Sequence, residues 1–107
     1  MTIEILFVPG CPNLQPALDA VSSLLAANSL PVELRRIPVF TVAQAEALRF
    51  PGSPTIRING ADVEPHDSPS IALACRIYAS GSGVPSRRAI RAAMARAESA
   101  AEERPVG

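Results

Sequence analysis

The strongest constraint on the fold is a short apolar run with a hard stop, followed at once by a helical stripe. Ile3-Glu4-Ile5-Leu6-Phe7-Val8 ends in Pro9-Gly10. Its length, β-branched content and abrupt end predict a buried strand. Leu14, Leu18, Val21 and Leu25 then recur at i, i+4, i+7 and i+11, which is one face of a helix. Pro12 suits the first turn of that helix, where a missing N–H is no loss. Asn28 and Pro31 are expected to end it. Val32 to Val39 reads as a second strand, with Pro38 placing its end near a sheet edge. Strand, helix, strand implies a parallel pair joined by a right-handed crossover.

The remainder adds antiparallel strands. Thr41 is a candidate N-cap for a short helix over Val42 to Arg49. Phe50 to Pro54 is a dense loop. Thr55-Ile56-Arg57-Ile58 alternates with period two and runs into Asn59-Gly60, a strong hairpin signal. Ala61 to Glu64 returns as the partner strand. Ile71 to Tyr78 is apolar again and reads as strand or short helix, with strand favoured from Cys75 to Ala79. A last helix carries Ile90, Met94, Ala97 and Ala101 on one stripe, with arginines near its start and glutamates near its end. That charge order opposes the helix dipole, so packing must hold it. The expected order is β-α-β-α-β-β-α: an α/β fold with a mixed sheet and helices on both faces. A single domain is expected over residues 1–101, with 102–107 as a flexible tail.

Composition narrows the partners. The chain has 107 residues, ten acidic and ten basic; every basic residue is Arg, and net charge is zero. A neutral chain has no general electrostatic grip on nucleic acid or acidic membranes. No run approaches the ~20 apolar residues of a membrane span, and Met1 to Glu4 has no basic leader region. The expected location is cytoplasmic. In that reducing setting, two cysteines are either inert or reactive rather than a structural bridge. No cofactor is expected.

Cys11 is placed where the first helix begins. Unpaired N–H groups and the helix dipole favour a thiolate there. Gly52-Ser53-Pro54-Thr55 opens the third strand, and Ser53–Pro54 is a candidate cis bond. Gly10-Cys11-Pro12 at a helix start, with Gly52-Ser53-Pro54-Thr55-Ile56 at a strand start, resembles the thioredoxin superfamily over roughly residues 3 to 100. The resemblance implies a cis-Pro54 beside a reactive Cys11. It implies too that the backbone before the proline pairs with an extended substrate, giving Pro12, Ser53, Pro54 and Thr55 as the candidate substrate-binding set. The chain departs from the family pattern at Leu14, which stands where a second cysteine would complete C-x-x-C. This resembles the monothiol branch.

Cys75 is the other candidate catalytic thiol, as a resolving residue, with an external thiol as the alternative resolver. The expectation rests on residues 71–79 pairing antiparallel with Thr55 to Ile58, which would bring Cys75 to the Pro54 end of the sheet. The leading expectation is a thiol-disulfide oxidoreductase acting on a protein disulfide or small thiol. Two thiolates also suit a soft ion such as Hg(II) or Cu(I), and Gly10-Cys11-Pro12-Asn13 near the start with Cys75-Arg76-Ile77-Tyr78 late is similar to small bacterial thioredoxin-like proteins labelled alkylmercury-lyase-like. A soft-metal or organomercurial module using Cys11 and Cys75 is therefore an alternative, and a non-catalytic adaptor with this fold is a third. His66 reads as a solvent-exposed loop residue, Tyr78 as a packing residue, and Arg76 as a possible neighbour of a thiolate.

Overall fold

The computed structural model describes residues 1–27, 31–65, 71, 73–74, 76–78 and 81–103, with the backbone alone for 100–103. The elements are β1 (Thr2–Phe7), α1 (Leu14–Ala26), β2 (Glu33–Pro38), α2 (Val42–Leu48), β3 (Thr55–Ile58), β4 (Ala61–Asp62) and α3 (Arg87–Glu103). They form an α/β domain around a four-stranded sheet of order β2-β1-β3-β4. β1 and β2 run parallel, as a strand–helix–strand unit requires. β3 lies antiparallel to both β1 and β4. Asn59 and Gly60 both have positive φ, 51° and 85°, the conformation a tight two-residue hairpin demands. β2 is the outer strand, so Pro38 is tolerated at its end.

The two faces of the sheet are built differently. Ile3 and Ile5 of β1 and Ile56 and Ile58 of β3 pack with Ala17, Val21 and Leu24 of α1 and with Ile90 and Met94 of α3. All of these side chains are buried. On the opposite face, Leu6 meets Val39, Ala45 and Phe50 beneath the short α2. Beyond that patch the registers line up Arg35, Glu4, Arg57 and Asp62 across all four strands. Opposite charges side by side on a pleated face are favourable cross-strand neighbours.

Local chemistry accounts for the helix ends, with two differences from expectation. α2 begins at Thr41, whose Oγ1 accepts from the Gln44 N–H while Gln44 Oε1 accepts from the Thr41 N–H. It stops at Leu48, one residue early, because Arg49 turns left-handed as its C-cap. α1 begins at Leu14, three residues after Cys11, with Asn13 as N-cap. Two turns intervene: the Cys11 N–H bonds Val8 O at 3.0 Å and the Leu14 N–H bonds Cys11 O at 3.3 Å. Pro12 therefore lies in a turn ahead of the helix. Pro16 takes the place in the first turn where no N–H is required. α1 ends at Ala26 with Ala27 as C-cap, and Asn28 lies outside the described residues.

The strand expected from Cys75 to Ala79 needs correction. Arg76, Ile77 and Tyr78 belong to no strand, and Cys75 and Ala79 lie outside the described residues. None of the described residues among 71–78 pairs with Thr55 to Ile58: β1 lies along one edge of β3, and on the other β4 is paired with Arg57 and Ile58. The partner strand β4 is also shorter than expected, ending at Asp62. α3 extends to Glu103, past the expected domain end at 101; residues 104–107 are outside the described set. No helix among the described residues is long and apolar enough to cross a membrane.

Candidate functional site

Cys11 sits in the double turn between β1 and α1. Its thiol is free and half-buried, and its neighbours Pro9, Gly10 and Pro12 are exposed. It stands two residues upstream of the N-cap, so the helix N-terminus is not aimed at it in the way the sequence suggests. The charge effect of a helix end falls off within its first turn.

The Ser53–Pro54 peptide bond is cis. Ser53 and Thr55 are buried, and Pro54 is among the fully buried side chains. Ser53 is a hub. Its Oγ accepts the Val8 N–H at 3.0 Å, and the Val8 carbonyl in turn accepts from Cys11. Its own N–H donates to Ala74 O at 2.8 Å, and its carbonyl accepts the Arg76 N–H at 2.9 Å. The backbone of Ser53, expected from the resemblance to be open to a substrate, is thus filled by this chain's own residues.

That filling is built in. Gly52 has φ +145°, a conformation that favours glycine, and a Cβ there would stand 2.9 Å from Arg76 Cβ. Arg76 is only 3% exposed. Its Nη1 donates to Asp62 Oδ2 at 2.7 Å and to Thr55 Oγ1 at 3.1 Å. Its Nη2 donates to Asp62 Oδ1 at 3.1 Å and to Glu64 O. Thr55 Oγ1 donates to Gly52 O at 2.7 Å, closing the network on itself. The guanidinium stacks 4.3 Å from the Tyr78 ring centre, and the Tyr78 hydroxyl donates to Pro54 O. Burial pushes the Tyr78 phenol well above its usual range, and the nearby Arg76 charge only partly offsets this.

After Tyr78 the chain doubles back. The Tyr78 N–H bonds Ser82 O and the Gly81 N–H bonds Tyr78 O, both at 2.8 Å. This carries Gly83 against the Cys11 turn, so closely that a Cβ on Gly83 would lie 2.2 Å from Asn13 Nδ2. The Cys11 turn is tied to Ser53 through Val8, and Gly83 lies close to the side chain of Asn13 just after it.

The structure brings Cys11, Pro12 and the Ser53-Pro54-Thr55 loop into one connected region. Cys75 and His66 lie outside the described residues, so the soft-metal pair Cys11–Cys75 has only one described member. Among the described residues, no group of three or more His, Cys, Asp or Glu could share an ion. Sequence reasoning missed Arg76 as the buried centre of the loop's support. An Arg inside an otherwise apolar run, with Asp62 on the preceding strand, was the available signal. Compared with known proteins, the chain matches no protein-family model, no curated protein and no solved structure.

Proposed function

We propose that this chain is a thioredoxin-like thiol-disulfide exchange protein, with Cys11 as the attacking thiol and Cys75 as the resolving one. The observation that supports it is the hub at Ser53. Its hydroxyl holds the turn carrying Cys11, and its backbone holds Ala74 and Arg76, the residues on either side of Cys75.

In the proposed cycle the Cys11 thiolate attacks one sulfur of a disulfide. The S–S bond breaks, one thiolate leaves, and a mixed disulfide forms on Cys11. The Cys75 thiolate then attacks the Cys11 sulfur and releases the second substrate thiolate. The substrate has gained two electrons, and the protein retains a Cys11–Cys75 disulfide that an external dithiol reduces. Substrate reaches Cys11 from the exposed side, past Pro9, Gly10 and Pro12. The Ser53 backbone is engaged internally, so recognition there requires Ala74 and Arg76 to give way.

Reduction of bis(2-hydroxyethyl) disulfide by the dithiol-recycled protein tests the cycle. Cys11→Ser should abolish turnover with little loss of stability. Cys75→Ser should leave the mixed disulfide on Cys11, visible by mass spectrometry. Full turnover by Cys11→Ser would rule the mechanism out.

A further inference from the structure

We propose that Arg76 is a positioning residue for Cys11, acting through Ser53. The inference rests on reading Cys11 as the reacting group. Two routes join Arg76 to the Cys11 turn. The first runs from the Arg76 N–H to the Ser53 carbonyl, from Ser53 Oγ to the Val8 N–H, and from the Val8 carbonyl to the Cys11 N–H. The second runs through Tyr78 and the bend at Gly81 and Ser82 to Gly83, which abuts Asn13. Residues on both sides of Cys11 are therefore set by one segment, and that segment is set by one side chain.

The anchoring of Arg76 is geometric rather than hydrophobic. The guanidinium is a rigid fork, and its two terminal nitrogens meet three separate elements: Thr55 of β3, Asp62 of β4 and the Glu64 carbonyl beyond it. The flanking Ala74 and Ile77 are exposed, Ile77 by 73%. Beyond the buried Tyr78 ring, apolar burial adds little to seat this stretch. Among the described residues, Arg76 Nε is buried without a hydrogen-bond partner. A group that leaves one donor unpaired in the interior is held by the other contacts of the fork. A fork seated this way accepts one arrangement, and it transmits that arrangement to Ser53.

The test is a mutant cycle read by iodoacetamide alkylation of Cys11 in the folded full-length chain, quantified peptide by peptide by mass spectrometry. Arg76→Met combined with Asp62→Asn removes the fork and its counter-charge together. It should change the Cys11 alkylation rate by about threefold or more, whereas in a Ser53→Ala background the same pair should change it by clearly less, because the first of the two routes is cut. Ser53→Thr keeps a hydroxyl and should restore the coupling. Amide exchange along β1 should stay slow throughout, which separates positioning from general loosening. Equal fold-changes with and without Ser53 Oγ would overturn the proposal. If the Arg76 pair fails to fold, Asp62→Asn alone, which weakens the anchor of the fork and leaves Arg76 in place, enters the same cycle with the same criterion. The readout is alkylation, so absence of disulfide turnover is a separate result that strikes the exchange reading alone.

Discussion

The two faces of the sheet solve the same problem by opposite means. Beneath α1 and α3, alternate residues of β1 and β3 supply isoleucines, and the helices supply small and branched apolar residues in return. Toward the other face, α2 covers one apolar patch, and the remaining burial is done by Arg76, Asp62, Thr55 and Tyr78. Apolar packing is non-directional and tolerates compensating shifts. A buried charged network accepts few geometries and is punished when one member is lost. The first face therefore supplies stability, and the second supplies a fixed arrangement around Ser53 and Cys11.

The comparison breaks most sharply at the ion pair. Asp62→Ala leaves the Arg76 guanidinium buried without its counter-charge and should cost about 3–5 kcal/mol in denaturant unfolding. Replacing both partners with apolar residues, Arg76→Met with Asp62→Leu, should recover more than half of that loss. No recovery would mean that the second face depends on more than its charge balance. Next in size is Gly52→Ala. Its Cβ would meet Arg76 Cβ at 2.9 Å in a backbone conformation that disfavours side chains. A loss of about 1–3 kcal/mol is expected, with faster exchange of the Ser53 and Arg76 amides.

The apolar face should be forgiving by contrast. Ile56→Leu conserves volume and should cost less than about 1.5 kcal/mol, with amide exchange at Ser53 unchanged. The smallest effect at neutral pH is Tyr78→Phe, about 1 kcal/mol for one hydrogen bond. Its pH dependence is more informative. The folded phenol titrates above its unfolded value of about 10. Tyr78 stabilisation is therefore complete below about pH 10 and is lost as pH rises above it, because the unfolded chain ionises first. Tyr78→Phe should flatten that alkaline decline in unfolding experiments. The chain has no Lys and a single Tyr, so the tyrosinate absorbance reports this one group directly. An unchanged alkaline slope would show that Tyr78 is not buried as described.

Much of this architecture was legible in one dimension. The apolar run of β1, the stripe of α1, the Asn59-Gly60 turn and the Thr41 cap each express a local rule, satisfied within a few residues of chain. The start of α1 was less so. Cys11-Pro12 resembles a helix opening, yet Gly10 at φ +85° and two successive turns delay the helix to Leu14. Pro16 was the overlooked sign, since a proline three residues past the N-cap fits only the first turn.

The sequence by itself determined the strand–helix–strand opening, the hairpin and the pairing of a reactive-looking Cys11 with a proline loop, because periodicity and turn chemistry act at short range. The role of residues 74–78 was decided only in three dimensions. Ala74 and Arg76 bond the Ser53 backbone rather than a β3 edge on which Arg57 and Ile58 are already paired with β4. Arg76 could then be buried because Asp62, Thr55 and the Glu64 carbonyl converge on one guanidinium. Such convergence depends on groups far apart in sequence meeting at one point, and no local pattern encodes it.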